Sequence, residues 1–399
     1  MADEKDLDIA TLLVHEGERK GKLTAAPVAT PIYASTTFTY DSMAEIDQVF
    51  AGEKSGYVYT RHGNPTITAL EDALRRIERG AVSCAYSSGM AAIHAALFAC
   101  ELTPGAVVLA SQDLYGATTS LLLTVFGSFG IKTVTADFSD LDEVRAKAGE
   151  HKPRVLIAET ISNPLLKVCD IDACAEIARA AKARLIVDNT FASPYLCRPL
   201  EHGADIVVHS ATKYLGGHGD ATGGVVISRD AVDGAALLGV MKLVGGVLSV
   251  WEAHEILRGI KTLALRMDRH CENAATLADH LRTHQRIDRV YFPDASPGDH
   301  KNTAQRILRQ PHRGGLVSIE LKENTREAAF VFMDKLQLCV RSTSLGDVFT
   351  SVLHPATASH RDLSPSRRQQ LGITDSLIRI SVGIESVQDI IADIEQALA

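Results

Sequence analysis

The chain has 399 residues, and its 41 Lys and Arg residues against 49 Asp and Glu residues give a net charge of −8. Hydrophobic residues make up 46 % of the sequence and charged residues 23 %, values typical of globular proteins, which argues against a disordered or fibrous chain. The acidic balance argues against a nucleic-acid partner, because proteins that bind nucleic acids present a basic surface to the phosphate backbone.

No apolar run reaches the roughly 18 residues of a membrane span. The chain starts with Met-Ala-Asp-Glu-Lys-Asp, which is charged and lacks the apolar segment of a secretory signal, so we expect a cytoplasmic protein without a membrane partner. The seven cysteines form no CxxC pair and the sequence has no HExxH motif, which predicts reduced thiols and no metal.

The first sixty residues show no periodicity and are predicted to be irregular, with Pro27 and Pro31 among the interruptions. The first clear element is a helix that starts at Asn64 and Pro65 and ends at Gly80. Asn is a favoured N-cap and Pro a favoured first helical residue, and the apolar residues that follow have helical spacing.

Short β-branched runs then alternate with helical stretches, and these runs are apolar without strict alternation, as in strands buried on both faces. The predicted strands are 106–110, 132–135, 155–158, 185–187, 206–208 and 224–227, and the predicted helices lie near 89–101, 116–128, 140–149 and 171–183. The sequence therefore predicts an α/β fold with a mainly parallel sheet covered by helices.

A long helical stretch from about residue 252 to 284 interrupts this alternation of strands and helices. Beyond it, strands at 315–321, 339–343 and 377–382 alternate with helices, and the chain ends in a helix at 387–398. We interpret this part as a smaller C-terminal α/β domain.

Two short segments carry groups that suit a phosphate. Ser88, Gly89 and Met90 open a predicted helix, whose first N–H groups and dipole attract anions, although small residues there also serve simply as caps and close-packing residues. Tyr59 and Arg61 are two apart in an extended segment, so both side chains point to one side and could hold a phosphate together, or could equally lie on the surface.

Two ionisable residues end neighbouring predicted strands. Asp188 follows an apolar run, where an acid is costly unless it caps a loop or binds a positively charged ligand atom. Lys213 follows Ser210 and Thr212 and precedes a glycine-rich loop, where a partly desolvated amine suits Schiff-base chemistry. A lone lysine is usually a solvated loop residue, but here Asp188 and Lys213 can face one ligand at the same sheet edge.

An acid for a pyridinium nitrogen, a lysine for an aldehyde and donors for a phosphate together describe pyridoxal phosphate. At these residues the sequence resembles the Cys/Met-metabolism family of fold-type I pyridoxal-phosphate enzymes: methionine γ-lyase, cystathionine γ-lyase, cystathionine γ-synthase and O-acylhomoserine sulfhydrylase. The resemblance runs from about residue 10 to the C-terminus and is most specific at 59–66, 205–219 and 257–263.

The resemblance implies roles for individual residues. Lys213 would carry the cofactor as a Schiff base and move protons, Asp188 would contact the pyridine nitrogen, and Tyr115 would stack on the ring and act in acid–base steps. Asn163 and Arg379 would bind the substrate carboxylate, with Ser344 beside them. The phosphate would be held by Ser88, Gly89, Met90, Ser210 and Thr212 of the same subunit.

The resemblance also implies an assembly. Tyr59 and Arg61 would reach the phosphate of the neighbouring subunit, so we expect a homodimer with shared active sites and, from the family, a homotetramer. The expected organisation is an N-terminal arm at 1–62 that contacts the neighbouring subunit, a cofactor-binding domain at 63–255 and a C-terminal domain at 256–399.

Several positions depart from the family patterns. Ser120 and Thr343 stand where enzymes acting on cystathionine usually carry an arginine and a glutamate, which removes charges for the distal amino acid of that substrate. Ala117 and Leu243 stand where methionine γ-lyases usually carry cysteine and aspartate. The loop at 159–164 reads Glu-Thr-Ile-Ser-Asn-Pro where the family often has a proline at the third position.

We expect γ-elimination on methionine, homocysteine or cystathionine, giving 2-oxobutyrate, ammonia and a thiol. The alternative is γ-replacement on an O-acylhomoserine, since both routes use the same residues. A nicotinamide oxidoreductase fits less well, because no GxGxxG motif follows an early strand. A catalytically silent relative is disfavoured, because Lys213, Asp188 and Arg379 are all present.

Overall fold

A computed structural model describes residues 7–17, 27–294 and 300–399 of the chain. Its larger sheet has seven strands: β1 (Val82–Tyr86), β2 (Val107–Ser111), β3 (Lys132–Ala136), β4 (Val155–Glu159), β5 (Arg184–Asp188), β6 (Ile206–Ser210) and β7 (Gly224–Ser228). Their order across the sheet is β1-β7-β6-β5-β4-β2-β3, and β7 runs antiparallel to both of its neighbours while the other pairs are parallel.

The predicted mainly parallel sheet is therefore confirmed, and each predicted strand matches an observed one to within one or two residues. Burial on both faces explains the unbroken apolar runs: in β4, Leu156 packs into the core on one face and Ile157 into the core on the other. Strand β1 lies at the antiparallel edge of the sheet and was not predicted, because its Val-Ser-Cys-Ala-Tyr sequence is only weakly β-branched.

Nine helices accompany this sheet in the described ranges: α1 (Ile9–His15), α2 (Met43–Phe50), α3 (Pro65–Ile77), α4 (Gly89–Ala99), α5 (Gly116–Ser120), α6 (Leu141–His151), α7 (Ile171–Ala181), α8 (Ser193–Leu196) and α9 (Ala231–Val244). A π-helical turn (Leu121–Phe126) continues α5, and a 3-10 turn (Thr60–His62) precedes α3. The predicted start of α3 is confirmed, since the Asn64 side chain accepts a hydrogen bond from the Thr66 N–H at 2.9 Å.

The prediction that the first sixty residues are irregular is wrong at α1 and α2. Both helices have the local signal that the periodicity argument overlooked, a capping side chain. Asp8 accepts from the Ala10 N–H at 2.8 Å, and Ser42 accepts from the Glu45 N–H at 3.3 Å.

The helical stretch predicted near 252–284 is helical in the structure, but it consists of two helices, α10 (Val250–Ile260) and α11 (Leu263–Leu281). Thr262 leaves the helical region with φ −107° and ψ 6°. The Arg266 guanidinium donates to the Gly259 carbonyl at 2.8 Å and to the Tyr214 carbonyl at 2.7 Å. The arginine thus satisfies a carbonyl exposed by the break, which periodicity alone cannot foresee.

A second sheet follows, with strands β8 (Ile287–Tyr291), β9 (Leu316–Leu321), β10 (Val340–Arg341), β11 (Ser351–Leu353) and β12 (Leu377–Ser381) in the order β10-β11-β12-β9-β8. Its helices are α12 (His300–Ile307), α13 (Arg326–Lys335), α14 (Pro365–Gln370) and α15 (Val387–Leu398), and a 3-10 turn lies at Pro355–Thr357. The predicted strand at 339–343 shortens to two residues, and β8 and β11 were not predicted.

Among the described residues, no helix has both the length and the hydropathy that crossing a membrane would require. Within the same residues, no cluster of three or more His, Cys, Asp and Glu side chains could hold a metal ion. All seven cysteines are buried free thiols.

The two-sided core of the large sheet leads to a stability prediction. Leu156 is fully buried in β4, so Leu156→Ala is expected to lower the free energy of unfolding by about 2–5 kcal/mol through lost burial and a cavity. The exposed aliphatic residue Val331 in α13 provides the control, and Val331→Ala is expected to change it by less than about 0.5 kcal/mol. Urea unfolding measures both, and equal midpoints for the two variants would contradict the assigned core.

Candidate active site

A cavity of about 460 Å³ opens at the carboxyl edge of the large sheet. The last residues of β4, β5 and β6, namely Glu159, Asp188 and Ser210, all line it. Ten of the predicted site residues share this cavity: Ser88, Gly89, Met90, Tyr115, Asn163, Asp188, Ser210, Thr212, Lys213 and Arg379.

The start of α4 forms one wall of the cavity. The Ser88 side chain accepts from the Ala91 N–H at 3.1 Å, so it caps the helix, which is the structural role that the sequence also allowed for this segment. A Cβ on Gly89 would lie 2.8 Å from the Ser210 Cβ, and a Cβ on Gly224 would lie 2.1 Å from the Ser88 carbonyl oxygen. Glycine at both positions lets β6 and β7 approach the helix start, whose free N–H groups suit a phosphate.

Lys213 lies three residues beyond β6, with its amine inside the cavity. Its Nζ donates to the Ser344 hydroxyl at 3.0 Å. Burial and the nearby Arg379 guanidinium lower the pKa of the Lys213 amine, and the Asp347 carboxylate partly opposes them. A larger neutral fraction of the amine suits attack on an aldehyde and proton abstraction.

Asp188 ends β5 and accepts from both the N–H of Thr190, at 2.9 Å, and the Thr190 hydroxyl, at 2.5 Å. Burial raises the pKa of Asp188, while the Thr190 hydrogen bonds and the charge of His209 act in the opposite direction. His209 is buried on β6, and its Nε2 lies 2.6 Å from the Glu78 carboxylate. Asp188 is thus a half-buried acid whose other carboxylate oxygen can meet a positively charged ligand atom.

The second sheet contributes Arg379 to the cavity wall. Its guanidinium, on β12, donates to the Asn163 side-chain oxygen at 3.0 Å and to the Ser344 carbonyl at 3.2 Å, and lies 6.0 Å from the centre of the Phe191 ring. Burial lowers the pKa of Arg379 to about 10, so the group stays cationic at neutral pH. A buried cation next to a side-chain amide can bind a carboxylate in two-point contact.

The structure places Tyr59 and Arg61 outside the cavity of their own chain. The Arg61 guanidinium lies 5.4 Å from the centre of the Tyr59 ring and donates to the Lys242 carbonyl. Ser344 does not line the cavity wall, although it contacts both Lys213 and Arg379.

Sequence reasoning missed several lining residues, among them Glu159, Thr190, Phe191 and Ser359. Glu159 ends a buried strand just as Asp188 does, so the same signal could have found it. Ser359 enters from a loop far along the chain, and its position depends on tertiary packing. Of the four specificity positions, Thr343 lines the cavity, whereas Leu243 is 89 % exposed and, like Ala117 and Ser120, does not line it.

These residues fit pyridoxal phosphate. The cavity combines a half-buried amine, a half-buried acid at the end of β5 and a helix start that glycines let the strands approach, with hydroxyl groups beside it. These are the donors and acceptors that an aldehyde, a pyridine nitrogen and a phosphate require.

Comparison with known proteins agrees with this interpretation. The model of the family described as "Cys/Met metabolism PLP-dependent enzyme" matches residues 10–399. An L-methionine gamma-lyase from Fusobacterium nucleatum is 41 % identical over 396 residues, covering 99 % of this chain and 98 % of the relative. A cystathionine gamma-lyase from Bacillus subtilis is 40 % identical over 388 residues, covering 97 % and 98 %. A crystal structure of cystathionine gamma synthase from Xanthomonas oryzae in complex with cystathionine has a TM-score of 0.91 at 36 % identity, covering 98 % of each chain.

The charges around Lys213 lead to a prediction for the cofactor-free protein. The pH at which acetylation of Lys213 reaches half its maximal rate is expected to lie below that of the small molecule Nα-acetyl-lysine amide, because burial and Arg379 lower the pKa of Lys213. Arg379→Met should move the Lys213 midpoint upward. Peptide mass spectrometry across a pH series measures the Lys213 midpoint, and a midpoint at or above that of the small molecule would contradict the assigned environment.

Proposed function

This chain belongs to the Cys/Met-metabolism family of pyridoxal-phosphate-dependent enzymes, and from that premise we propose that it catalyses γ-elimination on a sulfur amino acid. Methionine, homocysteine or cystathionine would be converted to 2-oxobutyrate, ammonia and a thiol. The observation that carries the proposal is the meeting of Lys213, Asp188 and the Arg379–Asn163 pair in one cavity. A base, an acid for the cofactor ring and a carboxylate anchor are the parts that this reaction needs.

The family, the fold class and the pyridoxal-phosphate cofactor predicted from the sequence are confirmed by the comparisons. When bound, the cofactor supplies an electron sink for the negative charge that develops at the substrate Cα. Lys213 would hold its aldehyde, Asp188 would keep a proton on its ring nitrogen, and Tyr115 would lie against its ring. Its phosphate would be held by Ser88, Gly89, Met90, Ser210 and Thr212.

The proton steps use groups that the geometry already brings together. The Nζ of Lys213, with its pKa lowered by burial, removes the Cα proton and then moves protons between neighbouring carbons. The Ser344 hydroxyl orients this amine at 3.0 Å. The phenol of Tyr115 gives a proton to the departing sulfur, and Arg379 with Asn163 holds the substrate carboxylate. Fixing the substrate at one end keeps its reacting carbons within reach of Lys213.

The side-chain composition of the cavity favours methionine or homocysteine among these substrates. Thr343 gives the wall a neutral side chain, and Ser120 does not line the cavity. Neither position supplies a charge for the distal amino acid of cystathionine, whereas an uncharged thioether needs none. The second candidate, γ-replacement on an O-acylhomoserine, is supported by the similarity to the cystathionine gamma synthase structure.

We also propose a homodimer, further assembled into a homotetramer, in the cytoplasm. Tyr59 and Arg61 lie outside their own cavity, and the support for their role is the family resemblance at 59–66 together with that position. In the dimer they would complete the phosphate site of the neighbouring subunit. The same proposal treats residues 1–62 as the arm that contacts the neighbour, 63–255 as the cofactor-binding domain and 256–399 as the C-terminal domain.

The activity is tested by release of 2-oxobutyrate from L-methionine by the purified holoenzyme, with cystathionine in parallel. Release from methionine is the expected result, and Lys213→Ala should abolish both this release and the visible absorption of the bound cofactor. Lys147→Ala in α6 is the control, since Lys147 pairs with Glu143 away from the cavity. No 2-oxobutyrate from either substrate, together with product formed from an O-acylhomoserine and a thiol, would replace elimination by the second candidate.

The shared site is tested by mixing two inactive variants, Arg61→Ala and Lys213→Ala. A 1:1 mixture that exchanges subunits should regain about a quarter of wild-type activity, because half of its dimers are mixed and each mixed dimer has one intact site. Activity measured before and after exchange gives the result. An active Arg61→Ala variant, or an exchanged mixture with no activity, would contradict the placement of Arg61 in the neighbouring site.

A further inference from the structure

Glu159 is a buried carboxyl group in the cavity to which the mechanism above gives no role. It ends β4 directly beside Asp188 at the end of β5, and the two residues are register partners in the sheet. Glu159 is 9 % exposed, and both carboxyl groups face the same cavity. Burying an acid next to another acid costs free energy, so we expect specific contacts to stabilise Glu159 in this position.

The hydrogen-bond partners of Glu159 lie in the two segments that carry Tyr115 and Asn163. Its Oε1 accepts from the backbone N–H of Tyr115 at 2.6 Å, and the backbone N–H of Asn163 contributes a further hydrogen bond. Tyr115 follows β2, whereas Asn163 lies in the loop that follows β4. The carboxyl group therefore joins two separate loops at the floor of the cavity.

We propose that Glu159 is a positioning residue, which holds the backbone of Tyr115 so that its phenol and ring face the reacting atoms. The proposal rests on the proposed function, because that function places Tyr115 against the cofactor ring and in the proton transfer to sulfur. The Tyr115 side chain is 39 % exposed, so its backbone anchor contributes strongly to its orientation.

The groups around Glu159 favour the neutral, protonated form of its carboxyl group. Burial, followed by the charge of Asp188, raises the pKa of Glu159 well above its usual range; Asp113 acts in the same direction, and the two backbone N–H groups oppose it. Arg379 and Lys213 are cations that line the same cavity, and the charge of Glu159 acts on the Arg379 guanidinium. A protonated Glu159 keeps one oxygen as an acceptor for Tyr115 and leaves the negative charge on Asp188. Glutamine has the same shape and acceptor, so it should replace Glu159.

Three substitutions in the holoenzyme separate position from charge. Glu159→Gln keeps the acceptor and the length, Glu159→Asp keeps the carboxyl group and shortens the reach, and Glu159→Ala removes both the acceptor and the length. Visible-region circular dichroism of the bound cofactor reports the asymmetry of its surroundings without turnover. We expect Glu159→Gln to keep this signal and kcat for methionine within about threefold, while the other two lose most of the signal and roughly 10- to 100-fold in kcat.

Glu71→Gln is the matched control. Glu71 also accepts a backbone N–H, that of Ala85 at 2.8 Å, and burial raises its pKa to about 8, but it does not line the cavity. It should leave the circular dichroism and kcat unchanged. Glu159→Ala with the wild-type signal, or Glu159→Asp performing better than Glu159→Gln, would overturn the proposal. If wild-type protein releases no 2-oxobutyrate, the proposed function fails while the circular dichroism still tests Glu159.

Discussion

Buried charge at the carboxyl edge of the large sheet is the constraint on which the site depends. Glu159 and Asp188 end adjacent strands, and Lys213 follows the next one, so two acids and an amine share one poorly solvated cavity. Each acid is costly to ionise there, and each has a specific partner: Thr190 donates twice to Asp188, and Tyr115 donates to Glu159. The same burial that raises the pKa of both acids lowers that of Lys213, so one physical cause increases the neutral fraction of the amine and disfavours two negative charges on the adjacent acids.

The second sheet completes the arrangement by contributing the cation. Arg379 reaches from β12 to the Asn163 side chain, and Ser344 contacts both Arg379 and Lys213. The contacts of Arg379 with Asn163 and of Lys213 with Ser344 join residues more than a hundred positions apart, so the relative placement of the two sheets sets the distance between base and carboxylate anchor. Arg379 also lowers the pKa of Lys213, which couples substrate binding to the state of the base.

Much of this arrangement could be predicted from the sequence because it follows from strand order. Apolar runs located β4, β5 and β6, and the residues that end them, Asp188 and Ser210 among them, had to meet at one edge. The N-cap at Asn64 was likewise predictable from the Asn64-Pro65 dipeptide. The break at Thr262 could not be predicted, because it accompanies contacts of Arg266 with the Gly259 carbonyl and with the distant Tyr214 carbonyl. Glu159 has the same sequence signal as Asp188, an acid at the end of a buried apolar strand, so its place in the cavity was also predictable. The positions of Thr343 and Ser359 in the cavity wall depend on how distant loops fold back.

The central claim is that Lys213, next to Asp188 at the sheet edge, is the residue that holds the cofactor. Borohydride reduction of the holoenzyme fixes the cofactor to its lysine, and peptide mass spectrometry then identifies that lysine. We expect the pyridoxyl phosphate mass on the peptide that contains Lys213. Its appearance on Lys167, which pairs with Asp113 at 3.0 Å outside the cavity lining, or on any other lysine, would contradict the assignment of the site.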